Sequence, residues 1–440
     1  MKRLVDRLVR FKLGKTSRDQ DASLEYVVRQ AARHVPYYAE RFRAVGEALS
    51  RVTSVSDLGQ LPICDRVGML RSGHAGHLRA GCCPDRLVRR RTSGTTGEPL
   101  TVFASRTEVL YRKVSLIDSL RRCVRLRLPL RLVDVGAYKG HVDWAQRLGL
   151  VQIERLYRTT PIVEQVDRVS RLRLDIVQGR PSSLWALAVE AQRRDVPLPR
   201  PRAVITFGEM LHDHVREAVG HAFGAPVFDY YNCEEIGNVA WECPEGTGRM
   251  HVNDDTAVVE IVDERGDPCE PGEIGRVLLT NLYNVTMPFI RYEIRDRAAR
   301  VAETVCECGF RGMSITRLDG REEDFFVLPD GREITPREAN DIIYSLLPED
   351  AMGNDLFRVI ERFQVIQEAV DRVVVRIAPG PEFEPALLDG LDASARRFHP
   401  DLEARLELLT YEEMEPVGKF RDVISHVPRP PEDPQRGASS

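Results

Sequence analysis

The segment from Thr92 to Pro99 carries residue types that bind phosphate. It reads Thr-Ser-Gly-Thr-Thr-Gly-Glu-Pro. Its two glycines allow a tight turn that brings backbone N–H groups close to an anion, and its four hydroxyls can donate hydrogen bonds to phosphate oxygens. It has no lysine where a P-loop NTPase requires one. By itself the segment fits a nucleotide site or an ordinary turn equally well.

Two carboxylates, Glu234 and Glu235, directly follow a strand-like run that ends near Tyr231. Mg²⁺ takes oxygen ligands beside phosphates, so the pair could hold this ion. A solvated acidic turn is the alternative. Further along, Asp296 ends another strand-like run, where it could accept hydrogen bonds from ribose hydroxyls or form a surface ion pair.

Two segments near the C-terminal end have the composition of a hinge and of a catalytic loop. Gly320–Asp324 lies between a β-rich region and a last small domain, where a few loop residues could absorb backbone rotation. Lys419 follows a glycine, and its ammonium group could neutralise charge that develops on a transferring group. A solvent-exposed lysine would look the same.

Three thiols and one imidazole form a candidate zinc set, namely Cys243, His251, Cys306 and Cys308. Such a set makes a closed tetrahedral site with no open position for chemistry. Reduced core cysteines are the alternative, which is also the prediction for the other six: Cys64, Cys82, Cys83, Cys123, Cys233 and Cys269. Nine cysteines in a long chain argue against a disulfide framework and favour a reduced, cytoplasmic setting.

The elements that must position these residues follow from hydrophobic periodicity. Helical stretches alternate with short apolar runs from about 107 to 230, which is typical of an α/β sheet. Residues 249–301 alternate with a period of two and indicate a β-rich subdomain. Residues 325–410 mix both patterns, as in a small α+β domain. The basic N-terminal stretch predicts a first helix packed on the core, with a membrane-surface helix as the alternative.

Composition excludes several classes of protein. The 440 residues suffice for two domains, and 63 basic against 67 acidic residues leave the whole chain unsuited to polyanions. No apolar run is long enough to span a membrane. Arg89–Arg91 precede the Thr92–Pro99 segment, so attraction of phosphate groups explains them better than nucleic acid, for which no reader motif is present.

In their order along the chain, these motifs resemble the adenylate-forming (ANL) superfamily. More narrowly, they resemble its phenylacetate–CoA ligase branch, with the related capsule-biosynthesis and coenzyme F390 synthetase-like proteins. The resemblance runs from about residue 25 to 427 and rests on six segments: TSGTTGEP, FGEM (207–210), YNCEE (231–235), RYEIRD, GREED and GKFR.

The resemblance implies an α/β fold with a large N-terminal domain, made of α/β sheets plus a β-rich subdomain, and a small mobile α+β C-terminal domain. It implies four segments: an ATP- and substrate-binding domain at 1–318, a hinge at 319–324, a lid domain at 325–427 and a disordered tail at 428–440.

The implied reaction has two steps. ATP and a carboxylic acid, aryl or similar, give an acyl-adenylate and pyrophosphate, and the acyl group then passes to a thiol such as coenzyme A. One alternative is transfer to an amine, a carrier-protein thiol or another nucleophile in a biosynthetic pathway. Another is a non-catalytic, zinc-stabilised nucleotide-binding protein. The expected cofactors are ATP, Mg²⁺, coenzyme A and a structural Zn²⁺. A homodimer is left open.

Residue roles are carried over by position from the family's motifs. The catalytic set comprises Lys419 at the reacting carboxylate and α-phosphate, Glu235 on Mg²⁺, and Arg321 on the ribose–phosphate side. The phosphate loop comprises Ser93, Gly94, Thr95, Thr96 and Gly97. The nucleoside contacts comprise Gly208 and Glu209 along the adenine, Tyr231 stacked on it, and Asp296 on the ribose. Cys243, His251, Cys306 and Cys308 resemble the structural zinc set of this branch.

Four positions depart from the family pattern. Glu98 replaces a common Lys or Arg and removes one cationic phosphate contact. Glu234 replaces the usual Ser or Thr, which suggests either a second Mg²⁺ ligand or an altered reaction. Ile294-Arg295 stands where many relatives have a glycine, and Glu323 replaces an Asp. The acyl pocket is expected beside Val135–His141, where Tyr138 would suit an aromatic acid.

Overall fold

The computed structural model describes residues 17–46, 48–92, 99–124, 126, 129–137, 144–147, 149–347, 359–411, 413–414 and 420–428. The first helix predicted at the N-terminus, the phosphate loop from Ser93 to Glu98, Tyr138 and Lys419 lie outside these residues. The chain divides into two compact units, Met1–Leu318 and Asp319–Ser440. Each is described separately below.

The helices and strands are numbered in chain order. The helices are α1 Ser17–His34, α2 Pro36–Arg43, α3 Ala48–Arg51, α4 Arg66–His77, α5 Arg106–Cys123, α6 Trp144–Arg147, α7 Ile162–Val169, α8 Pro181–Arg193, α9 Asp213–Phe223, α10 Pro336–Ala339, α11 Asp341–Tyr344 and α12 Leu391–Arg396. The strands of the first unit are β1 Val88–Arg91, β2 Thr101–Ala104, β3 Leu130–Ala137, β4 Val151–Tyr157, β5 Ile176–Gly179, β6 Ala203–Phe207, β7 Val227–Cys233, β8 Gly237–Glu242, β9 Arg249–Val252, β10 Ala257–Val262, β11 Ile274–Asn281, β12 Tyr292–Ala299 and β13 Ser314–Thr316. Those of the second unit are β14 Gly320–Arg321, β15 Phe326–Val327, β16 Glu333–Ile334, β17 Ile360–Ala369, β18 Arg372–Pro379, β19 Glu403–Leu408 and β20 Val423–Ser425.

A sheet of eight described strands, in the order β13-β9-β8-β7-β6-β5-β3-β4, dominates the first unit. Strands β3 to β7 pair in parallel, whereas β7, β8, β9 and β13 pair antiparallel. The parallel half consists of the apolar runs that alternate with helices in the sequence, because crossover helices cover both faces of such a sheet. The α/β class predicted from that alternation is confirmed.

Strands β10, β11 and β12 form an antiparallel sheet in the segment predicted to be β-rich. Its apolar face joins α1, α2 and the β7–β9 region in one buried cluster. Pro36 separates α1 from α2, as expected from the loss of a backbone N–H at proline. The hairpin β1–β2 pairs Arg91 with Thr101 and so brings together the two ends of the phosphate-loop segment.

The second unit contains a four-stranded sheet of order β19-β18-β17-β20 with α12 packed against β19. Gln367 in β17 is fully buried and exchanges two hydrogen bonds with the backbone of Val327, at 3.0 and 2.7 Å. Because an unpaired buried amide is costly, this exchange fixes the β15–β16 hairpin against the sheet.

Six described strands were missed in the sequence: β4, β8, β13, β14, β19 and β20. Among the described residues, no helix has both the length and the apolar character needed to cross a membrane. All nine cysteines are unbridged, and Cys83 is solvent-exposed, so its prediction as a core residue is wrong. Its neighbours explain the exposure, because a proline follows it and opens a one-turn 3₁₀ helix at the surface.

Candidate active site and metal centre

The carboxyl ends of the parallel strands bring the predicted nucleoside residues to one edge of the sheet. Phe207 at the end of β6 lies beside Tyr230 in β7, so Gly208 and Tyr231 follow on neighbouring strands. Gly208 has φ +82°, and a Cβ placed there would meet no atom within 4 Å. Ligands of open α/β sheets bind at this edge. The geometry therefore leaves space beside Gly208 for a flat group.

The carboxylate of Glu209 is engaged within the first unit. It accepts a hydrogen bond of 3.1 Å from the Ser182 N–H, at the start of α8, and lies 3.9 Å from the guanidinium of Arg180. An anion at a helix N-terminus satisfies an orphan N–H and the helix dipole. Glu209 thus fixes the start of α8, and its contact with adenine stays a prediction.

Tyr231 and Asp296 meet although 65 positions separate them. The phenol O–H of Tyr231 donates a 2.6 Å hydrogen bond to the Asp296 carboxylate, and both side chains are buried. Asp296 lies in a bulge of β12, where the pairing with β11 shifts its register. Arg295 has φ +66°, the left-handed backbone that a glycine adopts more readily. Arg295 therefore adopts a backbone conformation that favours glycine.

The turn between β7 and β8 carries Glu235 and is held by Arg112 from α5. Arg112 donates to the carbonyl oxygens of Cys233 and Glu234, at 2.9 and 2.8 Å. Its side chain also packs on Gly237, where an added Cβ would lie 2.6 Å from the Arg112 Nε. Gly237 has φ +102°, so both its backbone and its close packing require glycine. The buried Glu235 carboxylate is thereby fixed on a rigid turn.

The Glu234 carboxylate faces two guanidinium groups. Its Oε2 lies 3.4 Å from Arg90 in β1 and 3.6 Å from Arg112. Arg90, Arg112, Glu235 and Tyr283 line one cleft. Sequence reasoning missed both arginine contacts, because Arg90 and Arg112 lie more than 120 positions before Glu234.

In the second unit, Arg321 lies in β14 and is half-buried. The carboxylate of Asp324, three residues later, pairs with the Arg421 guanidinium. The backbone carbonyl oxygen of Arg421 accepts a hydrogen bond of 2.7 Å from the Gln364 side-chain amide. The predicted hinge and the segment after Lys419 are therefore neighbours within this unit. The role of Arg321 stays a prediction.

The four predicted zinc ligands converge. One donor atom from each of Cys243, His251, Cys306 and Cys308 lies within 4.8 Å of all the others. The Cys243 and Cys306 sulfurs are 3.5 Å apart, and His251 Nε2 is 3.2 Å from the Cys308 sulfur. Tetrahedral Zn²⁺ holds such donors about 3.5–3.8 Å apart, given metal–ligand bonds of roughly 2.0–2.3 Å. The two separations lie at or near this spacing, so small side-chain shifts would let the donor set hold this ion.

The surroundings of His251 suit a metal ligand. Its Nδ1 lies 3.0 Å from the Ser314 hydroxyl, which leaves Nε2 toward the sulfurs. Burial, and then the charges of Arg122 and Arg249, lower the pKa of His251 to about 4, so the imidazole is neutral at pH 7. The ring stacks on Phe310 with centroids 4.3 Å apart. Sequence spacing indicated the four ligands but not Ser314 or Phe310.

Comparison with known proteins agrees with these features. The chain is 26% identical over 320 residues to phenylacetate-coenzyme A ligase of Pseudomonas putida, which covers 69% of this chain and 70% of that protein. It is 23% identical over 252 residues to Protein CapK of Staphylococcus aureus, covering 55% and 54%. A solved 2-hydroxyisobutyryl-CoA ligase in the postadenylation state has a TM-score of 0.75 at 18% identity, covering 92% and 88%. No protein-family profile matches the chain.

The fold matches that of solved adenylate-forming acyl-CoA ligases such as the 2-hydroxyisobutyryl-CoA ligase. In sequence, the chain is similar to the phenylacetate–coenzyme A ligases. The resemblance that the six motifs indicated is confirmed.

Proposed function

We propose that the protein is an ATP-dependent, AMP-forming acid ligase that activates a carboxylic acid and transfers it to coenzyme A. The observation that carries the proposal is the convergence of Gly208, Tyr231, Glu235 and Asp296 around one edge of the sheet, in a homologue of phenylacetate–CoA ligases. In the first step, a carboxylate oxygen attacks the α-phosphorus of ATP. The bond to the bridging oxygen breaks, and pyrophosphate leaves with the electron pair.

Each residue of the edge has a proposed part in this step. The flat space at Gly208 and the ring of Tyr231 hold the base, and Asp296 accepts hydrogen bonds from the ribose hydroxyls. Glu235 would hold Mg²⁺, which neutralises charge on the leaving pyrophosphate. Arg321 and Lys419 belong to the second unit and keep the ribose–phosphate and carboxylate roles implied by their motifs. Positioning and charge neutralisation do most of the work in such a reaction.

In the second step, the thiolate of coenzyme A attacks the acyl carbonyl carbon, the bond to the adenylate oxygen breaks, and AMP leaves. The solved relative of the same fold was determined in complex with an acyl-AMP, and another structure of that relative contains both an acyl-AMP and CoA. Residues near Tyr138 are proposed to select an aryl or similar acid. We also propose a cytoplasmic location, which suits nine unbridged cysteines.

The test of this function is ATP–pyrophosphate exchange with a panel of aryl, fatty and amino acids in the presence of Mg²⁺. We expect exchange that depends on one class of acid. Lys419→Ala is expected to lose exchange steeply while MgATP binding persists, because its charge acts on the reacting groups. MgATP binding without exchange for any acid would contradict the ligase function and favour a non-catalytic nucleotide-binding protein.

We further propose that Cys243, His251, Cys306 and Cys308 hold a structural Zn²⁺. A closed set of three thiolates and one neutral imidazole leaves no position for substrate. Metal analysis of the purified protein is expected to give one zinc per chain, and Cys308→Ser to remove it. Metal-free protein with unchanged thermal stability would argue for four reduced core residues instead.

A further inference from the structure

The contacts of Glu234 bear on whether its carboxylate is a second Mg²⁺ ligand. Its carboxylate lies 3.4 Å from the Arg90 Nη1 and 3.6 Å from the Arg112 Nη2. The additional negative charge therefore already has two cationic neighbours from this chain. A carboxylate neutralised in this way has less need of a metal ion.

Arg90 lies on β1, three residues before Ser93. Side chains alternate along a strand, so Arg90 shares its face with Val88, and both line the cleft that also contains Arg112 and Glu235. Arg89 occupies the opposite face of the same strand and does not line this cleft. A guanidinium group thus stands beside the buried carboxylate proposed to bind the metal.

The pair between Arg90 and Glu234 is weak enough to exchange. Both side chains are well exposed, at 42% and 38%, and exposed ion pairs contribute little. A phosphate group, by contrast, can accept two parallel, charge-assisted hydrogen bonds from one guanidinium. An arriving polyphosphate would therefore outcompete Glu234 for Arg90.

Arg112 differs from Arg90 although both face Glu234. Arg112 is only 19% exposed, and its two Nη atoms are already used by the carbonyl groups of Cys233 and Glu234. Its function is to hold the turn that carries Glu235. Of the two arginines, Arg90 is the one whose hydrogen bonds can pass to a ligand.

We propose that Arg90 binds the pyrophosphoryl part of ATP, exchanging its ion pair with Glu234 for phosphate oxygens when the nucleotide binds. The inference rests on the proposed function and deepens it. Glu234 is then the resting partner of Arg90 and is not a second Mg²⁺ ligand.

The test is calorimetric binding of MgATP, Mg-pyrophosphate and AMP, which needs no knowledge of the acid. Arg90→Gln is expected to weaken MgATP and pyrophosphate about tenfold or more, since hydrogen bonds to charged groups are the strong ones. AMP lacks the pyrophosphoryl group, so its affinity should change less than about twofold. Arg89→Gln is the matched control on the other face of β1, and thermal unfolding of each variant checks folding.

Glu234→Gln distinguishes a resting partner of Arg90 from a second Mg²⁺ ligand, because the two roles predict opposite changes in MgATP affinity. We expect MgATP to bind about two- to fivefold more tightly, because a competing negative charge has gone, with an unchanged Mg²⁺ requirement. Weaker binding with a raised Mg²⁺ requirement would overturn the inference, as would unchanged MgATP affinity in Arg90→Gln. Wild-type protein that binds neither MgATP nor pyrophosphate would overturn the proposed function itself, and the inference with it.

Discussion

The Cys/His centre and the edge of the large sheet that is proposed to bind the nucleotide (the nucleotide edge) are built in different ways. The centre uses β8, β9 and the turn before β13, whose antiparallel pairing places Ser314 opposite His251. The edge takes its side chains from β1, α5, the β7–β8 turn and the bulge of β12. Antiparallel register places His251 and Ser314 in the centre, whereas the edge depends on side-chain contacts between distant segments. The centre is therefore expected to govern folding stability, and the edge to govern the affinity for ATP and the rate of ATP–pyrophosphate exchange.

Asp296 provides the strongest test of this difference between the centre and the edge. Asp296→Asn keeps the side-chain size but removes the charge that would face the ribose hydroxyls. We expect ATP–pyrophosphate exchange to fall about a hundredfold, the value of one strong charge-assisted hydrogen bond. Thermal unfolding should change little.

Tyr231→Phe serves as the control for Asp296→Asn, because it removes the internal 2.6 Å hydrogen bond and leaves the carboxylate. A smaller loss of exchange is expected there. Equal losses in the two variants, with equal drops in melting temperature, would mean that Asp296 has a structural role only.

Removing a ligand of the Cys/His centre should lower stability strongly and change the exchange rate little. Cys306→Ser is expected to abolish metal binding and to lower the free energy of unfolding by on the order of 3–5 kcal/mol. The rate per folded molecule should stay near that of the unaltered protein, because the four donors face each other and not the edge. Metal analysis, chemical denaturation and exchange assays on one preparation measure all three.

Cys269→Ser provides the matched control for Cys306→Ser, since Cys269 is buried but outside the cluster. It should retain the metal. A metal content unaffected by Cys306→Ser would contradict the assignment of the centre.

Gly237→Ala tests how strongly the edge depends on close packing. The substitution meets both an unfavourable φ of +102° and the side chain of Arg112. We expect a loss of about 1–3 kcal/mol in stability, with weaker Mg²⁺-dependent ATP binding because the Glu235 turn must shift. Gly246→Ala, also at positive φ but with no atom near its Cβ, controls for backbone strain alone. Identical effects of the two would exclude a packing contribution from Arg112.

The last prediction concerns the pH dependence of folding stability, to which Asp229 in β7 contributes. Burial, and then the negative charge of Glu242, raise the pKa of Asp229 to about 6, against hydrogen bonding from Thr206 and the charge of Arg216. The folded protein then holds a proton that the unfolded chain has lost between about pH 4 and 6. The contribution of Asp229 to stability is therefore greatest below pH 4, declines up to pH 6 and is constant above.

Asp229→Asn should remove this decline and raise stability at pH 7 by about 1–3 kcal/mol. Denaturant titrations from pH 4 to 8 measure it. The 2.7 Å contact with the Thr206 hydroxyl can persist, because asparagine keeps an acceptor oxygen. A variant that retains the slope of the unaltered protein would show that Asp229 does not titrate in this range.

Sequence patterns anticipated local features well. Strand and helix alternation identified most of the large sheet, because it depends on neighbours along the chain. The predicted Cys/His set does converge in the fold, and its metal stays a prediction. The β4 strand was missed even though its residues alternate in exposure, as a half-buried edge strand does. Cys83 was misassigned because burial depends on the tertiary position of a surface turn, which composition does not reveal.

Long-range contacts at the edge could not be anticipated. The pairing of Glu234 with Arg90 and Arg112 joins segments more than 120 positions apart, and it decides how an otherwise puzzling charge is accommodated. Likewise, the left-handed Arg295 arises from a register shift between two strands, which no single strand encodes. The order of the motifs along the chain therefore indicated the resemblance. The contacts of Glu234 and the backbone conformation of Arg295, two positions that depart from the family pattern, could be read only from the folded structure.

The Cys/His centre also has a topological consequence. Cys243 and Cys306 are 63 positions apart, so an ion shared between them would close a ring of chain. Closing a ring of this size removes about 4 kcal/mol of freedom from the unfolded chain by polymer estimates. All of β9 to β12 lies inside the ring, including the bulge with Asp296. An ion held by the centre would therefore restrict the motion of β12 even in the unfolded chain, and so would assist folding of the edge that is proposed to bind the nucleotide.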